Sequence, residues 1–273
     1  MDYSVLMSVY ADENPAFLKQ SIESIVNQSY PAEQFVLVKD GPLSDDLEEV
    51  IQTYYQKNAG LFTFVSLKDN MGLGVALDRG IDACRNELIA RMDSDDLSLP
   101  LRCEKQIYWF KTTKDLCLLG TNVDEFYDIP EKIVTSRIVP AEYKEIRRFA
   151  RRRNPFNHST VMFKKSAVVR CGGYGNIRYR QDYDLFSRMI NQGCYALNLN
   201  ESLVLFRSDA NNYIRRKSWK YCKSCMDVGY RNWRRGYCSL WDLLFVICAQ
   251  TAMHVMPMGI MKLVSDNFLR EKQ

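Results

Sequence analysis

The chain has 273 residues, 47% of them hydrophobic and 26% charged, with a formal net charge of +4. That is ordinary globular composition, long enough for one large core with an appendage, and it excludes an intrinsically disordered chain. No internal repeat or low-complexity tract is present, which excludes solenoids and propellers, and so mild a charge does not by itself imply nucleic acid.

Tyr3 to Tyr10 is apolar and β-prone and predicts a buried strand. Asn14-Pro15 predicts a helix N-cap with proline in the first turn, and Phe17, Leu18, Ile22, Ile25 and Val26 follow at helical spacing. A second apolar strand, Gln34 to Val38, ends on Lys39-Asp40-Gly41-Pro42, and a helix is predicted from about Asp45 to Lys57. The third strand, Leu61 to Val65, leads to Asn70-Met71-Gly72-Leu73-Gly74 and a helix reaching about Cys84. Leu88 to Met92 is a fourth strand, ending on Asp93-Ser94-Asp95-Asp96. Such alternation predicts a largely parallel sheet covered by helices, with its ligand beyond the carboxyl ends of the strands. Each of these strands ends on or leads into polar residues.

After Pro100 a helix holds Ile107, Trp109 and Phe110, and Leu116 to Gly120 predicts a strand. Tyr143 to Arg153 predicts an exposed basic helix carrying Arg147, Arg148, Arg151, Arg152 and Arg153. Thr160 to Phe163 predicts a strand, Gly172 to Gly175 a turn, Gln181 to about Gln192 a helix, and Leu203 to Phe206 a strand. Beyond Asn211 the pattern is helical, basic first and apolar from Leu240 to Met261. Asp242, Gln250, His254 and Pro257 interrupt that apolar stretch, which predicts a helix lying on a membrane interface, or packed on the main domain, and no transmembrane span. Met1-Asp2-Tyr3 runs straight into a strand, and nine cysteines stand at irregular spacing, which predicts a cytoplasmic, reduced chain. Cys222 and Cys225 lack a second ligand pair for zinc.

Carboxylates at Asp93 and Asp95 can point at one hard cation, Mn²⁺ or Mg²⁺, which would neutralise a departing diphosphate. Neither a P-loop nor a dinucleotide fingerprint follows the first strand. Asp40 could accept from a nucleobase N–H or close an Asx-turn with Gly41-Pro42. Asp182, near a helix N-terminus, could be an ionised general base or a helix cap. His158 could touch metal, phosphate or acceptor, or serve as a hydrogen-bonded structural residue.

Taken as an ordered set, these segments resemble the inverting glycosyltransferase family 2, which has the GT-A fold: a Rossmann-like α/β domain whose mostly parallel central sheet is flanked by helices. Ser4 to Tyr10 resembles the opening strand, Val38 to Gly41 the nucleobase-binding strand end, Asn70-Met71-Gly72-Leu73-Gly74 the next loop, and Ala90 to Asp96 with Pro100 the D-x-D signature. Asn157 to Thr160, Gly172-Gly173-Tyr174 and Gln181 to Leu185 resemble the acceptor half. The likeness covers residues 1–210 and is closest in look to amylovoran-type and O-antigen enzymes. It implies a nucleotide-sugar-binding half at 1–100, an acceptor-binding half at 101–210, and a basic and apolar helical tail at 211–273.

The resemblance further implies that Ser8, Val9, Tyr10, Glu13, Asp40, Asn70, Gly72, Arg91, Asp93 and Ser94 bind the nucleotide sugar, with Asp40 at uracil. It implies Asp95, with Asp93 and His158, at the metal. Gln181, Tyr183 and His158 would meet the acceptor, and Asp182 would be the base. The chain departs from the family at Ala76-Leu77-Asp78, where an arginine is common, and at Gln181, where a glutamate is common. The expected partners are a UDP-sugar, a polyprenyl-diphosphate-linked saccharide and an anionic membrane surface at the inner face, with no nucleic acid. A sugar-nucleotide nucleotidyltransferase and a nucleic-acid-binding module are the competing readings.

Overall fold

A computed structural model describes residues 1–208 and 217–256. In chain order the elements are β1 (Tyr3–Val9), α1 (Pro15–Val26), β2 (Gln34–Lys39), α2 (Asp45–Lys57), β3 (Phe62–Ser66), α3 (Leu73–Ala83) and β4 (Leu88–Met92). Then come β5 (Leu97–Ser98), α4 (Arg102–Thr112), β6 (Leu116–Phe126), β7 (Ile133–Arg137), α5 (Tyr143–Phe149), a 3-10 turn (His158–Thr160), β8 (Met162–Lys164) and α6 (Lys165–Arg170). The chain continues through α7 (Gln181–Asn191) and β9 (Tyr195–Arg207) to α8 (Trp219–Arg234) and α9 (Leu240–Val255).

Apolar runs make β1, β2 and β4 interior strands, buried on both faces. Asn14 caps α1 through its side chain, which accepts the Ala16 N–H at 2.8 Å, and Pro15 takes the first helical position. Gly80 lets α3 lie close on the sheet, since a Cβ there would stand 2.2 Å from Leu6 Cδ1 and 2.7 Å from Val38 Cγ2.

One sheet runs in the order β3-β2-β1-β4-β8-β6-β9-β5, with β7 on β6. The first four strands are parallel, as the alternation predicts. Beyond them the sheet is mixed: β8 is antiparallel to β4 and β6, while β6 and β9 are parallel. Cores lie on both faces. The chain leaves β1 toward β2 on one side and returns to β4 on the other. The switch point therefore falls between the carboxyl ends of β1 and β4, where open α/β sheets bind ligands.

Strands β6 and β9 span 11 and 13 residues, well beyond the apolar runs that predict them. Several polar groups in their middles bond internally. Asn122 Nδ2 donates to Asn200 Oδ1 at 3.2 Å, and Asn198 Nδ2 donates to Pro140 O at 2.7 Å and Pro155 O at 3.0 Å. The predicted basic helix stops at Phe149. Arg151 to Arg153 form a turn ahead of Asn154-Pro155, a dipeptide that disfavours helix.

Helix α8 docks on α7, and α9 packs on α8. Arg235 pairs with buried Asp184 at 2.7 Å, and Asn232 Nδ2 donates to Ser187 Oγ at 3.3 Å. Among the described residues no helix is long and apolar enough to cross a membrane. The start of the predicted basic stretch after Asn211, and Pro257 to Met261, lie outside those residues.

Candidate active site

Two of the polar strand ends meet at the switch point, and a third, that of β2, lies next to them in the sheet. Asp93, Asp95 and Asp96 follow β4, each offering a carboxylate oxygen within 4.8 Å of the others. Glu13, after β1, accepts the Ser94 hydroxyl and its neighbour's N–H, that of Asn14, at 2.9 Å. Asp40, after β2, is buried and accepts the N–H groups of Met71 at 2.7 Å and Gly72 at 3.0 Å. It thus holds the loop bearing exposed Asn70 against the sheet edge and makes neither of these bonds within its own turn. Each of its oxygens keeps a second acceptor direction.

The acidic turn carries more charge than its surroundings easily hold. Burial first, then the charges of Asp96, Asp93 and Glu13, keep the Asp95 carboxyl well above the usual carboxylate range. Burial and then Asp93 push Asp96 up to about 7, against the Ser159 hydroxyl, the Arg207 N–H and Arg91. All-oxygen donors at this spacing suit a hard divalent cation. Asp95 and Asp93 would hold it, with Asp96 behind them.

Two buried arginines brace the turn. Arg91 points its guanidinium onto both carboxylate oxygens of Asp93. Arg207, at the end of β9, gives its backbone N–H to Asp96 Oδ1 at 2.9 Å and its Nε–H to Asp95 O at 3.0 Å. Its guanidinium also lies 3.9 Å from the centroid of the Phe17 ring. Sequence reasoning missed Arg207 because it lies 111 residues from its carboxylate partner, and no local motif announces such a contact.

On the acceptor side, Asp182 in the first turn of α7 accepts from Asn154 Nδ2 at 2.7 Å. Asn154 is the second residue that sequence reasoning missed. Asp78, in the departing Ala76-Leu77-Asp78 segment, accepts the N–H groups of Tyr174 at 2.7 Å and Gly175 at 2.9 Å. A Cβ on Gly74 would stand 2.5 Å from Gly175 O, so glycine permits this close approach of the two halves. The Tyr174 hydroxyl lies within electrostatic reach of Asp182, Asp78 and Asp93, and burial raises its pKa.

Four of the predicted residues are held by neighbours within the structure. The Val9 side chain belongs to the core, and its carbonyl accepts the Asp40 N–H at 2.8 Å. Arg91 is buried and spent on Asp93, so it orients that carboxylate instead of reaching a donor. His158 stands outside the described carboxylate group, and its Nε2 bonds the Tyr174 hydroxyl at 2.9 Å. Burial and then Arg91 hold its pKa well below 6.5, so it is neutral at pH 7. Tyr183 is buried and donates to Ala150 O at 2.8 Å, which turns it away from any acceptor. Gln181 is buried beside Gly74. Ser8 is half-buried and Tyr10 exposed at the end of β1. Cys222 and Cys225 are buried and in no disulfide, and Cys225 Sγ accepts the Arg180 Nε–H at 3.1 Å.

Comparison with known proteins agrees with this geometry. The profile described as "Glycosyl transferase family 2" matches residues 4–178. "Amylovoran biosynthesis glycosyltransferase AmsE" of Erwinia amylovora is 37% identical, over 81% of this chain and 82% of its own. "UDP-Gal:alpha-D-GlcNAc-diphosphoundecaprenol beta-1,3-galactosyltransferase" of Escherichia coli is 32% identical, over 93% and 92%. In fold, the chain matches the mannosyltransferase PcManGT from Pyrobaculum calidifontis, with a TM-score of 0.65 at 12% identity, over 96% of this chain and 72% of that one.

Proposed function

The chain belongs to glycosyl transferase family 2, with the GT-A fold, and from that premise we propose that it moves glucose or galactose from a UDP-sugar to a polyprenyl-diphosphate-linked sugar. The product would enter O-antigen, capsule or exopolysaccharide synthesis. The observation that carries this reading is that the acidic turn at the β1/β4 switch point and an Asp182 carboxylate oriented by Asn154 both lie within electrostatic reach of the Tyr174 hydroxyl. Membership of this family sets aside the nucleotidyltransferase and binding-module readings.

In the proposed reaction Asp182 takes the proton of the acceptor hydroxyl as that oxygen attacks the anomeric carbon from the face opposite UDP. The carbon–oxygen bond to UDP breaks, its electron pair leaves with the diphosphate, and the anomeric centre inverts. Asn154 fixes the aim of Asp182. Arg91 fixes Asp93, facing the ribose or the metal shell, and Asp40 places the Asn70–Gly72 loop and accepts from uracil. Asp95, with Asp93, would hold a divalent cation, which would neutralise charge on the leaving diphosphate. The test is incubation of the full chain with UDP-glucose or UDP-galactose, Mn²⁺ and a short-chain lipid diphosphate bearing one sugar. Mass spectrometry should find one added hexose. No product and no UDP release with any sugar tried would overturn the reading.

We also propose that the chain works against the inner face of the cell membrane. Trp241, Leu244, Phe245, Cys248 and Val255 form an exposed apolar stripe on α9, with Trp241 78% exposed. Exposed Lys220, Lys223, Arg231 and Arg234 on α8 suit anionic lipid. Co-sedimentation with phosphatidylglycerol vesicles should fall several-fold in Trp241→Ala/Leu244→Ala. Retention equal to the wild type would sink this placement.

A further inference from the structure

A cleft of about 630 Å³ lies between the α5–Asn154 segment and α9, lined by Arg148, Phe149, Arg151, Arg152, Arg153 and Phe245, among others. Two carboxylates share it. Asp242 is taken by Arg152 at 2.5 Å, and Glu145 is exposed at its edge. Among the described residues Arg148, Arg151 and Arg153 have no carboxylate within 4.0 Å. Three guanidiniums without a carboxylate partner around one cleft suit a polyanion, which charge-assisted hydrogen bonds would hold. The floor is aromatic. The Arg152 guanidinium lies 4.6 Å from the Phe245 ring centroid and Arg153 lies 5.2 Å from that of Phe149.

Two continuities identify the anion. Arg153 is the chain neighbour of Asn154, which bonds Asp182. The cleft therefore abuts the segment that orients the base. At the other side Phe245 belongs both to the cleft and to the exposed stripe of α9. An anionic head beside the Asn154–Asp182 pair and an apolar tail leaving along α9 describe a single amphiphile. We propose that this cleft seats the diphosphate of a polyprenyl-diphosphate-linked acceptor, with Arg148, Arg151 and Arg153 on the phosphates and Phe149 and Phe245 under the first isoprene units. This rests on the acceptor reading above and assigns it a site.

The test uses the full chain and farnesyl diphosphate as probe, followed by calorimetry, with farnesol and inorganic pyrophosphate as separate arms and Mn²⁺-supported UDP binding as a check on the donor site. Farnesyl diphosphate should bind, farnesol should not, and pyrophosphate should bind at least tenfold more weakly. Arg148→Gln/Arg151→Gln should weaken farnesyl diphosphate about tenfold or more, because charge-assisted bonds are lost, with UDP binding unchanged. Glu145→Lys, an exposed change that adds charge to the same cleft, should tighten it. Pyrophosphate binding as well as farnesyl diphosphate, or neither substitution changing farnesyl diphosphate affinity, overturns the proposal. Failure of the wild type to bind UDP while these effects persist would instead count against the donor reading alone.

Discussion

Asp182→Asn is expected to lower kcat by about 10²–10⁴, the contribution of a positioned general base, while leaving UDP affinity unchanged. Asparagine keeps the shape and can still meet the Asn154 amide after an amide flip, but it cannot take a proton. The change therefore separates chemistry from helix capping. Arg180, not Asp182, occupies the cap of α7, in the left-handed region at φ +62°. Loss of Asp182 should cost little stability, since among the described residues its side-chain hydrogen bond goes to Asn154. Asn154→Ala should cost roughly 10-fold or more through misaim alone. Asp184→Asn is the contrasting control. Asp184 is buried between Arg188 at 2.8 Å and Arg235 at 2.7 Å, so its loss should show as a lower Tm with the chemistry largely kept. Steady-state transfer kinetics and thermal melts on the three variants check the set. A normal kcat in Asp182→Asn would remove the base assignment.

The parallel half of the fold was legible because buried parallel strands read as unbroken apolar runs, and the helices between them keep a 3.6-residue stripe. Leu88–Met92 and Asp45–Lys57 match their expected bounds for that reason. Beyond Pro100 the code changes. Strands β6 and β9 carry buried asparagines that hydrogen-bond only to distant carbonyls and amides, and β5 and β7 are too short or too polar to stand out. In the site, residue types at strand ends were legible and side-chain directions were not. Tyr183 and Asp182 are neighbours in sequence but about 100° apart around the helix, which sends one inward and leaves the other beside Asn154. Arg91 was read with the motif it adjoins, yet β-strand alternation and a nearby Asp93 decide where its guanidinium goes. Arg207 and Asn154 were illegible because their partners lie far along the chain.

Asp95→Asn is expected to have two opposite effects. Donor binding should suffer, because the carboxylate best placed to hold a divalent cation is gone. Charge stabilisation by a metal is worth several kcal/mol, which at about 1.4 kcal/mol per decade places the loss of kcat near 10³-fold. Calorimetry should show that Mn²⁺ no longer strengthens UDP binding. Folding should benefit in chelator. Asp95 ionises at about pH 4 when unfolded, but burial and the neighbouring Asp96, Asp93 and Glu13 hold its folded pKa well above the usual range. As pH rises past 4 the unfolded chain loses this proton first, so stability falls with pH until the folded group also ionises. The penalty is absent at acid pH and fully present above the folded pKa. Asparagine removes it, so the Tm gain over wild type should be larger at pH 8 than at pH 5. Excess Mn²⁺ should stabilise the wild type and shrink the difference, since only the wild type has the full ligand set. A lower Tm at pH 8 in Asp95→Asn would mean that the acidic turn is neutralised by its arginines alone. Stability given up at this turn would then not be the cost of a cation site.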